Sequence, residues 1–449
     1  MSKYQRSTSV FDIDGRPSIL KTLPLSLQHI LAMIVGTVTV PIIIAGVVDA
    51  DPTQKTLMVQ YALIIAGITT LLQLYPIAGI GSRLPIVFGV GFTYVPTMVA
   101  VCGEFGFAGL LGAQFVGGIA TVFIGIFIKK IRRYFPNIVA GTVVFTIGLS
   151  LYPTAIKYMA GGVNNPTYGD LRNWAIAFIT LIIVIGFSQF GKGYVKLAAM
   201  FLGIVVGYII SIFLGMVDFT PISEASWFAI PKPLEFGIEF QLPAIISMVV
   251  ISIVNAIQTI GDLSATTMGG MDRYITDKEL SNGVIGSGVC TMIGSLFGAL
   301  PPSSYSQNVG IVAMTKVISR YVLGAAAVFM LLSGFIPKFG ALMTTIPHCV
   351  LGGATITVFS MITMTGIKLI VSEELSSRNI TIVGLAVALG MGVASVPDSL
   401  NEFSDFFIMV FGESPIVIAT IVAFVLNLII PNKSLADEEE ERKIMKSKI

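Results

Sequence analysis

The chain contains little charge for its length. Only 12% of its 449 residues are Asp, Glu, Lys or Arg, whereas 54% are hydrophobic, and soluble domains usually carry about 25% charged residues. A water-exposed globular surface cannot be built from this composition. Because a lipid core forces backbone groups to bond internally, the sequence predicts an all-α polytopic membrane protein.

Cysteine and histidine are also scarce. Cys102, Cys290 and Cys349 have no paired spacing, so we predict neither a disulfide framework nor a zinc site, and interpret them as packing residues. The only two histidines, His29 and His348, stand far apart and do not suggest a haem or zinc site. No P-loop or dinucleotide fingerprint is found. We therefore expect no metal, no cofactor and no nucleic-acid partner.

Long apolar runs, by contrast, are abundant. A helix that crosses the bilayer needs about 20 mostly apolar residues, and on this criterion we predict about 14 spans. No cleavable signal pattern precedes the first run, so we expect both termini to be cytoplasmic and the protein to lie in the cell membrane. With this topology all but five of the 27 basic residues are cytoplasmic, as the positive-inside rule requires. The five exceptions are Lys55, Lys157, Arg172, Lys232 and Lys338.

The chain also carries an internal repeat. Pro136–Gly141 recurs as Pro347–Gly352 with the pattern Pro-x-x-Val-x-Gly, at an offset of 211 residues. The same offset places Pro96 on Gln307, so two unusual stretches correspond. We predict two halves of seven spans, and an odd number of spans per half inverts the second half in the membrane.

Helix-breaking residues interrupt the third and tenth predicted spans. Proline and glycine both disfavour a continuous helix, and opened backbone survives in a membrane only where protein or a ligand satisfies it. We predict short extended segments that meet at a substrate site; ordinary proline kinks are the alternative. The interrupting residues are Pro85, Gly89, Gly91, Pro96, Pro301, Pro302 and Gly310.

The eighth predicted span carries Asn255, Gln258 and Asp262 at spacings that place them on one helical face. An Asp in mid-span costs about 2.5–3.5 kcal/mol on insertion, so this face should meet protein or an aqueous cavity. Asp262 is a candidate proton or cation carrier, or an acceptor that holds the broken helix.

Two adjacent carboxamides, Gln307 and Asn308, lie in the tenth span. Each offers an acceptor and two donors, which suits the edge of a purine or pyrimidine. The alternative is a bond to the freed backbone, which we favour more for Asn308 than for Gln307. His29 is a candidate hydrogen-bonding or titrating residue.

The pattern Gln307-Asn308-x-Gly310, followed by Thr315-Lys316, resembles the signature of the nucleobase–ascorbate transporter family. The resemblance runs from about residue 20 to residue 432. It also includes Gln28-His29, Gly261-Asp262 and Pro347–Gly353.

The resemblance implies a homodimer in which each chain has fourteen spans in two inverted repeats. It implies a core domain that moves against a gate domain, with the substrate between the eighth span and the interruptions. The implied core comprises residues 21–133 and 240–338, the gate 134–220 and 339–432, and the cytoplasmic tails 1–20 and 433–449.

The same resemblance assigns roles to individual residues. Gln307 would bond the base, Phe92 and Thr93 would line its other side, and Ser306 and Gly310 would complete the site. Gln at position 307 is similar to the family's carriers of xanthine or urate.

Gln258 departs from the family pattern, which has Glu at this position. Three explanations stay open: Asp262 or His29 supplies the coupling, the cargo is not xanthine, or transport is uncoupled. The sequence thus predicts a nucleobase permease, not an enzyme, that works by alternating access and is driven by a proton, sodium or substrate gradient. An inorganic-anion carrier is the first alternative, and a membrane-embedded enzyme that uses Asp262 is a remote one.

Overall fold

The computed structural model describes residues 7–131, 136–163, 165–404, 407–412, 414–431 and 434–440. The ends of the predicted cytoplasmic tails, residues 1–6 and 441–449, lie outside the described residues. The described chain is mostly helical.

Among the described residues, the main helices fall into two groups, one on each side of the middle of the chain. The first group is α1 (Ile19–Val47), α2 (Pro52–Leu74), α3 (Val95–Ile126), α4 (Ile128–Ile131), α5 (Asn137–Met159), α6 (Leu171–Phe190), α7 (Tyr194–Leu197), α8 (Ala199–Phe213) and α9 (Thr220–Glu224). The second group is α10 (Leu242–Met271), α11 (Asp277–Leu296), α12 (Ser306–Thr315), α13 (Arg320–Gly334), α14 (Pro337–Thr344), α15 (His348–Val371), α16 (Ser377–Ser395) and α17 (Pro415–Ile429). Short 3-10 helices at Phe92–Tyr94 and Pro397–Leu400 and a π-helix at Ile408–Gly412 join them.

The chain is a multi-pass membrane protein, but the predicted count of 14 spans is not confirmed. Within the described residues, eight helices are long and apolar enough to cross a membrane, or nine if α13 and α14, bent by 86°, form one span. The prediction counted apolar runs, and several of these runs form helices of fewer than 18 residues. Helices α8 and α17 have 15 residues each, and α12 has only 10.

The two predicted interruptions are confirmed as extended segments that meet. Strand β1 (Phe88–Val90) pairs antiparallel with β2 (Pro302–Ser304), so that Phe88 faces Ser304 and Val90 faces Pro302. All six residues are buried. The pairing satisfies backbone groups that a broken helix exposes, which is the condition for non-helical backbone at membrane depth.

Glycine allows the strands to approach closely. A Cβ added to Gly91 would lie 2.4 Å from the Cβ of Ser303, and one added to Gly89 would lie 2.4 Å from the Thr37 hydroxyl. Gly91 therefore makes room for Ser303 of β2, and Gly89 makes room for α1.

Both copies of the repeated motif begin a helix. Pro136 precedes α5 and Pro347 precedes α15, and each proline carbonyl accepts the N–H three residues later, at 3.0 Å. This local correspondence agrees with the predicted repeat.

The chain separates into two compact units. One comprises Met1–Ile128 and Pro153–Thr357, and contains both strands; within it α3 packs on α10 and α11, and α2 packs on α13. The other comprises Lys129–Tyr152 and Val358–Ile449. Its apolar core includes Ile138, Val139, Ile370, Ile382, Ala386 and Ala423. The division into core and gate domains stays a prediction.

Candidate substrate site

The predicted polar face of α10 lies against β2 and the first residue of α12. The Ser303 hydroxyl donates to Asn255 Oδ1 at 2.5 Å. The Ser304 and Ser306 hydroxyls donate to the two carboxylate oxygens of Asp262, at 2.5 and 2.8 Å. Asp262 thus holds the junction between β2 and α12, and both of its oxygens accept a bond. This is the fixed-acceptor arrangement that the sequence allowed.

Gln258 faces the other interruption. The Thr93 hydroxyl, in the 3-10 helix after β1, donates to Gln258 Oε1 at 2.5 Å. Gln258 lies four residues before Asp262 on the same face of α10. Both interruptions therefore contact α10 through Asn255, Gln258 and Asp262, which lie on one helical face.

The two neighbouring carboxamides of α12 have different surroundings. Asn308 is 1% exposed, and its Nδ2 donates to the backbone carbonyl of His29 at 3.2 Å. Gln307 is partly exposed, and its side chain makes no hydrogen bond to any described residue. This geometry favours the structural alternative for Asn308 and leaves Gln307 free to meet a ligand.

His29 contacts the site through its backbone carbonyl and not through its imidazole. Its imidazole is 1% exposed, and among the described residues Nδ1 has no hydrogen-bond partner. The carbonyl of His29 instead fixes α12 to α1 through Asn308.

The remaining predicted residues form the surface around these groups. Phe92 and Thr93 are buried at 6% and 5% exposure, Gln258 and Gly310 are partly exposed, and Ser306 is exposed. A Cβ added to Gly310 would have no atom within 4 Å. Ser306, Gln258 and Gly310 are thus accessible, whereas the bonds from Ser303 and Ser304 to α10 are buried.

Sequence reasoning missed Ser303, Ser304 and Tyr305. The Tyr305 hydroxyl donates to the Val90 carbonyl at 2.9 Å, and its ring packs against Gly36 of α1. Their position in the sequence could have indicated them, because they lie directly between the Pro301-Pro302 pair and the Gln307 motif. Polar groups in an interrupted membrane span need hydrogen-bond partners.

Asp262 is the only acidic side chain among these residues. In the parts of the chain that the structure describes, no Lys or Arg forms an ion pair with it, and no cluster of three or more His, Cys, Asp or Glu could hold a metal. The arrangement offers amide and hydroxyl groups beside paired backbone, which can bind a flat polar ring.

Comparison with known proteins agrees with this geometry. The sequence model of the Permease family, which covers xanthine and uric acid permeases, matches residues 20–399. The uric acid permease PucK of Bacillus subtilis is 35% identical, with 92% of this chain and 96% of that protein aligned. A xanthine permease of the same organism is 34% identical over 91% of this chain and 93% of its own length.

A solved structure has a similar fold. The transmembrane domain of the cyanobacterial bicarbonate transporter BicA has a TM-score of 0.57 and 15% identity, and the match covers 92% of this chain and 98% of that domain. At this identity the likeness concerns the fold alone. The residues matched by the family model and the two permeases carry the assignment: the chain belongs to the nucleobase–ascorbate transporter family of permeases.

Proposed function

We propose that this protein is a membrane permease for purine nucleobases, with xanthine or urate as its cargo. The observation that carries the proposal is the polar surface made by Gln258 and Gln307 beside the paired strands. Gln258 is oriented by Thr93, and Gln307 is partly exposed with a carboxamide that no described residue engages. The names of the two Bacillus relatives, a uric acid and a xanthine permease, point to the same cargo.

A purine fits the chemistry of this surface. Oxidised purines alternate N–H and C=O groups around a flat ring, and a carboxamide offers both a donor and an acceptor. In this binding mode Gln307 bonds one edge, Phe92 and Thr93 line the ring, and Ser306 and Gly310 complete the end of α12. A surface that holds buried polar groups rejects ligands that leave them unpaired.

Transport proceeds by alternating access, with the predicted core moving against the predicted gate. The site residues belong to the helices and strands that the prediction assigns to the core, so they would travel together. The assembly is a homodimer in the cell membrane with cytoplasmic termini.

The driving gradient depends on position 258. A glutamine there cannot carry a proton, so Asp262 and His29 are the remaining ionisable groups of the site. A proton or sodium gradient that acts through Asp262, or the substrate gradient alone, provides the drive.

An inorganic-anion carrier is the second candidate, because the fold is similar to that of a bicarbonate transporter. Against it, the site offers an acidic side chain, Asp262, and no described Lys or Arg paired with it. A compact anion gains little from two carboxamides that suit a heterocycle edge.

Uptake into proteoliposomes tests the proposal. Radiolabelled xanthine, urate, guanine and uracil would be offered with and without proton and sodium gradients, and sulfate and bicarbonate would be added as competitors. Saturable purine uptake that other purines inhibit supports the permease. Uptake blocked by sulfate or bicarbonate but by no base supports the anion carrier, and chemically altered purine inside the vesicles supports an enzyme.

A further inference from the structure

The segment before α1, residues 7–18, lies across the connection between α12 and α13. We call it the amino-terminal strap. The N–H groups of Ile318 and Ser319 both donate to the Val10 carbonyl, at 3.1 Å. The Ser319 hydroxyl donates to the Gly15 carbonyl at 2.7 Å.

The backbone N–H groups of the connection between α12 and α13 need hydrogen-bond acceptors from elsewhere in the chain. Helix α12 ends at Thr315, Lys316 has the left-handed φ of 58°, and α13 begins at Arg320. The first N–H groups of a helix have no partner within it. The strap supplies acceptors for the N–H groups around the start of α13. The Arg320 N–H donates to the Ile13 carbonyl at 3.0 Å, and the N–H groups of Ile318 and Ser319 donate to the Val10 carbonyl.

The strap also links the loop that leads into β1 with the start of α13, the helix that follows α12. The Asp14 carboxylate forms an ion pair with Arg83 at 3.0 Å and a second with Arg320. Arg83 lies in the loop that leads from α2 to β1. Arg320 donates to the Leu74 carbonyl at 2.7 Å, at the end of α2. One carboxylate therefore contacts the entrance to β1 and the start of α13.

The strap has a folded shape of its own. The Arg16 N–H donates to the Ser7 carbonyl at 2.8 Å and the Gly15 N–H to Asp12 at 3.0 Å. Gly15 is buried, and a Cβ there would lie 1.9 Å from the Ser9 carbonyl oxygen. These bonds close residues 7–16 into a turn that presents the Val10, Ile13 and Gly15 carbonyls to the connection.

We propose that the amino-terminal strap positions the substrate site, with Asp14 as a positioning residue. Helix α12 has 10 residues. Its amino end is held by Asp262 and by the His29 carbonyl, and its carboxyl end continues into the connection that the strap caps. A helix fixed at both ends holds Gln307 in place. The ligand part of this inference rests on the proposed function, whereas the structural part does not.

Two truncations and two point variants test the inference in the full-length protein in lipid nanodiscs. Removal of residues 1–15 deletes the caps, and removal of residues 1–6 is the matched control because it leaves the strap. Asp14→Asn removes the ion pairs, and Asp12→Asn makes the same charge change without contact to Arg83 or Arg320. Hydrogen–deuterium exchange of peptides that cover α12 and residues 316–322 is measured first, and xanthine and urate affinity second.

The strap deletion should speed exchange at Ile318–Arg320 and in α12, and should raise the Kd for the base about tenfold by lowering the competent fraction. Asp14→Asn should raise Kd about threefold, the size expected for ion pairs whose carboxylate is half-exposed. Both controls should match the wild type. If the strap deletion does not fold, faster exchange and weaker binding in Asp14→Asn support the inference, and wild-type values in that variant overturn it.

Other outcomes overturn the inference directly. Unchanged exchange and unchanged Kd in the folded strap deletion would do so, as would equal effects of Asp12→Asn and Asp14→Asn. If the wild type binds no purine, the proposed function fails, and the exchange data alone decide whether the strap holds α12.

Discussion

The contrast between Gln307 and Asn308 gives the sharpest prediction of the site model. These neighbours carry the same functional group, but only Asn308 is bonded to the described protein, through the His29 carbonyl. Replacing Gln307 by Ala should therefore leave the fold intact and remove contacts to the base. Loss of a buried polar pairing costs about 1–3 kcal/mol, and each 1.4 kcal/mol is about tenfold in Kd. We expect purine Kd to rise by roughly 5- to 150-fold.

Asn308→Ala should behave in the opposite way. It removes a buried side-chain hydrogen bond to the His29 carbonyl of α1, so the free energy of unfolding should fall by about 0.5–1.5 kcal/mol. The two variants together separate a ligand contact from a structural contact at adjacent positions.

The assay is purine binding by isothermal titration, accompanied by thermal unfolding of the same detergent-solubilised samples. We expect weaker binding with an unchanged unfolding temperature for Gln307→Ala, and a lower unfolding temperature for Asn308→Ala. Wild-type affinity in a folded Gln307→Ala protein would refute the assigned orientation of α12.

Three further changes test the parts that support the site. Asp262→Asn removes one of two charge-assisted acceptors and should lower the free energy of unfolding by about 1.5–3 kcal/mol, measured by thermal or denaturant unfolding. Gly91→Ala places a methyl group against Ser303 and should lower the unfolding temperature and base affinity, whereas Gly103→Ala, where an added Cβ meets nothing within 4 Å, should do neither. Gln258→Glu adds a second carboxyl beside Asp262, so purine uptake should become more dependent on pH between about pH 5 and pH 8 than in the wild type; identical pH profiles would place residue 258 outside the site.

The sequence predicted those features that local chemistry decides. Pro302 and Gly91 disfavour a helix wherever they occur in a span, so the two interruptions could be located before their pairing was seen. The spacing of Asn255, Gln258 and Asp262 is a property of one helix, and their common face follows from it.

The features that the sequence left open depend on contacts between distant residues. Ser303 and Ser304 bond side chains of α10 that lie more than 40 positions away, and no local pattern indicates such a pairing. The strap contacts residues about 300 positions along the chain. The count of 14 spans stays a prediction, because apolar length does not reveal where a run is divided into short helices.

The most direct test is an experimental structure of the protein in lipid with xanthine or urate bound. Our account predicts the ring beside the paired β1 and β2 strands, between Gln258 and the amino end of α12, with the Gln307 carboxamide bonded to its edge. A base found away from both strands, or a Gln307 side chain turned from the bound ring, would contradict it.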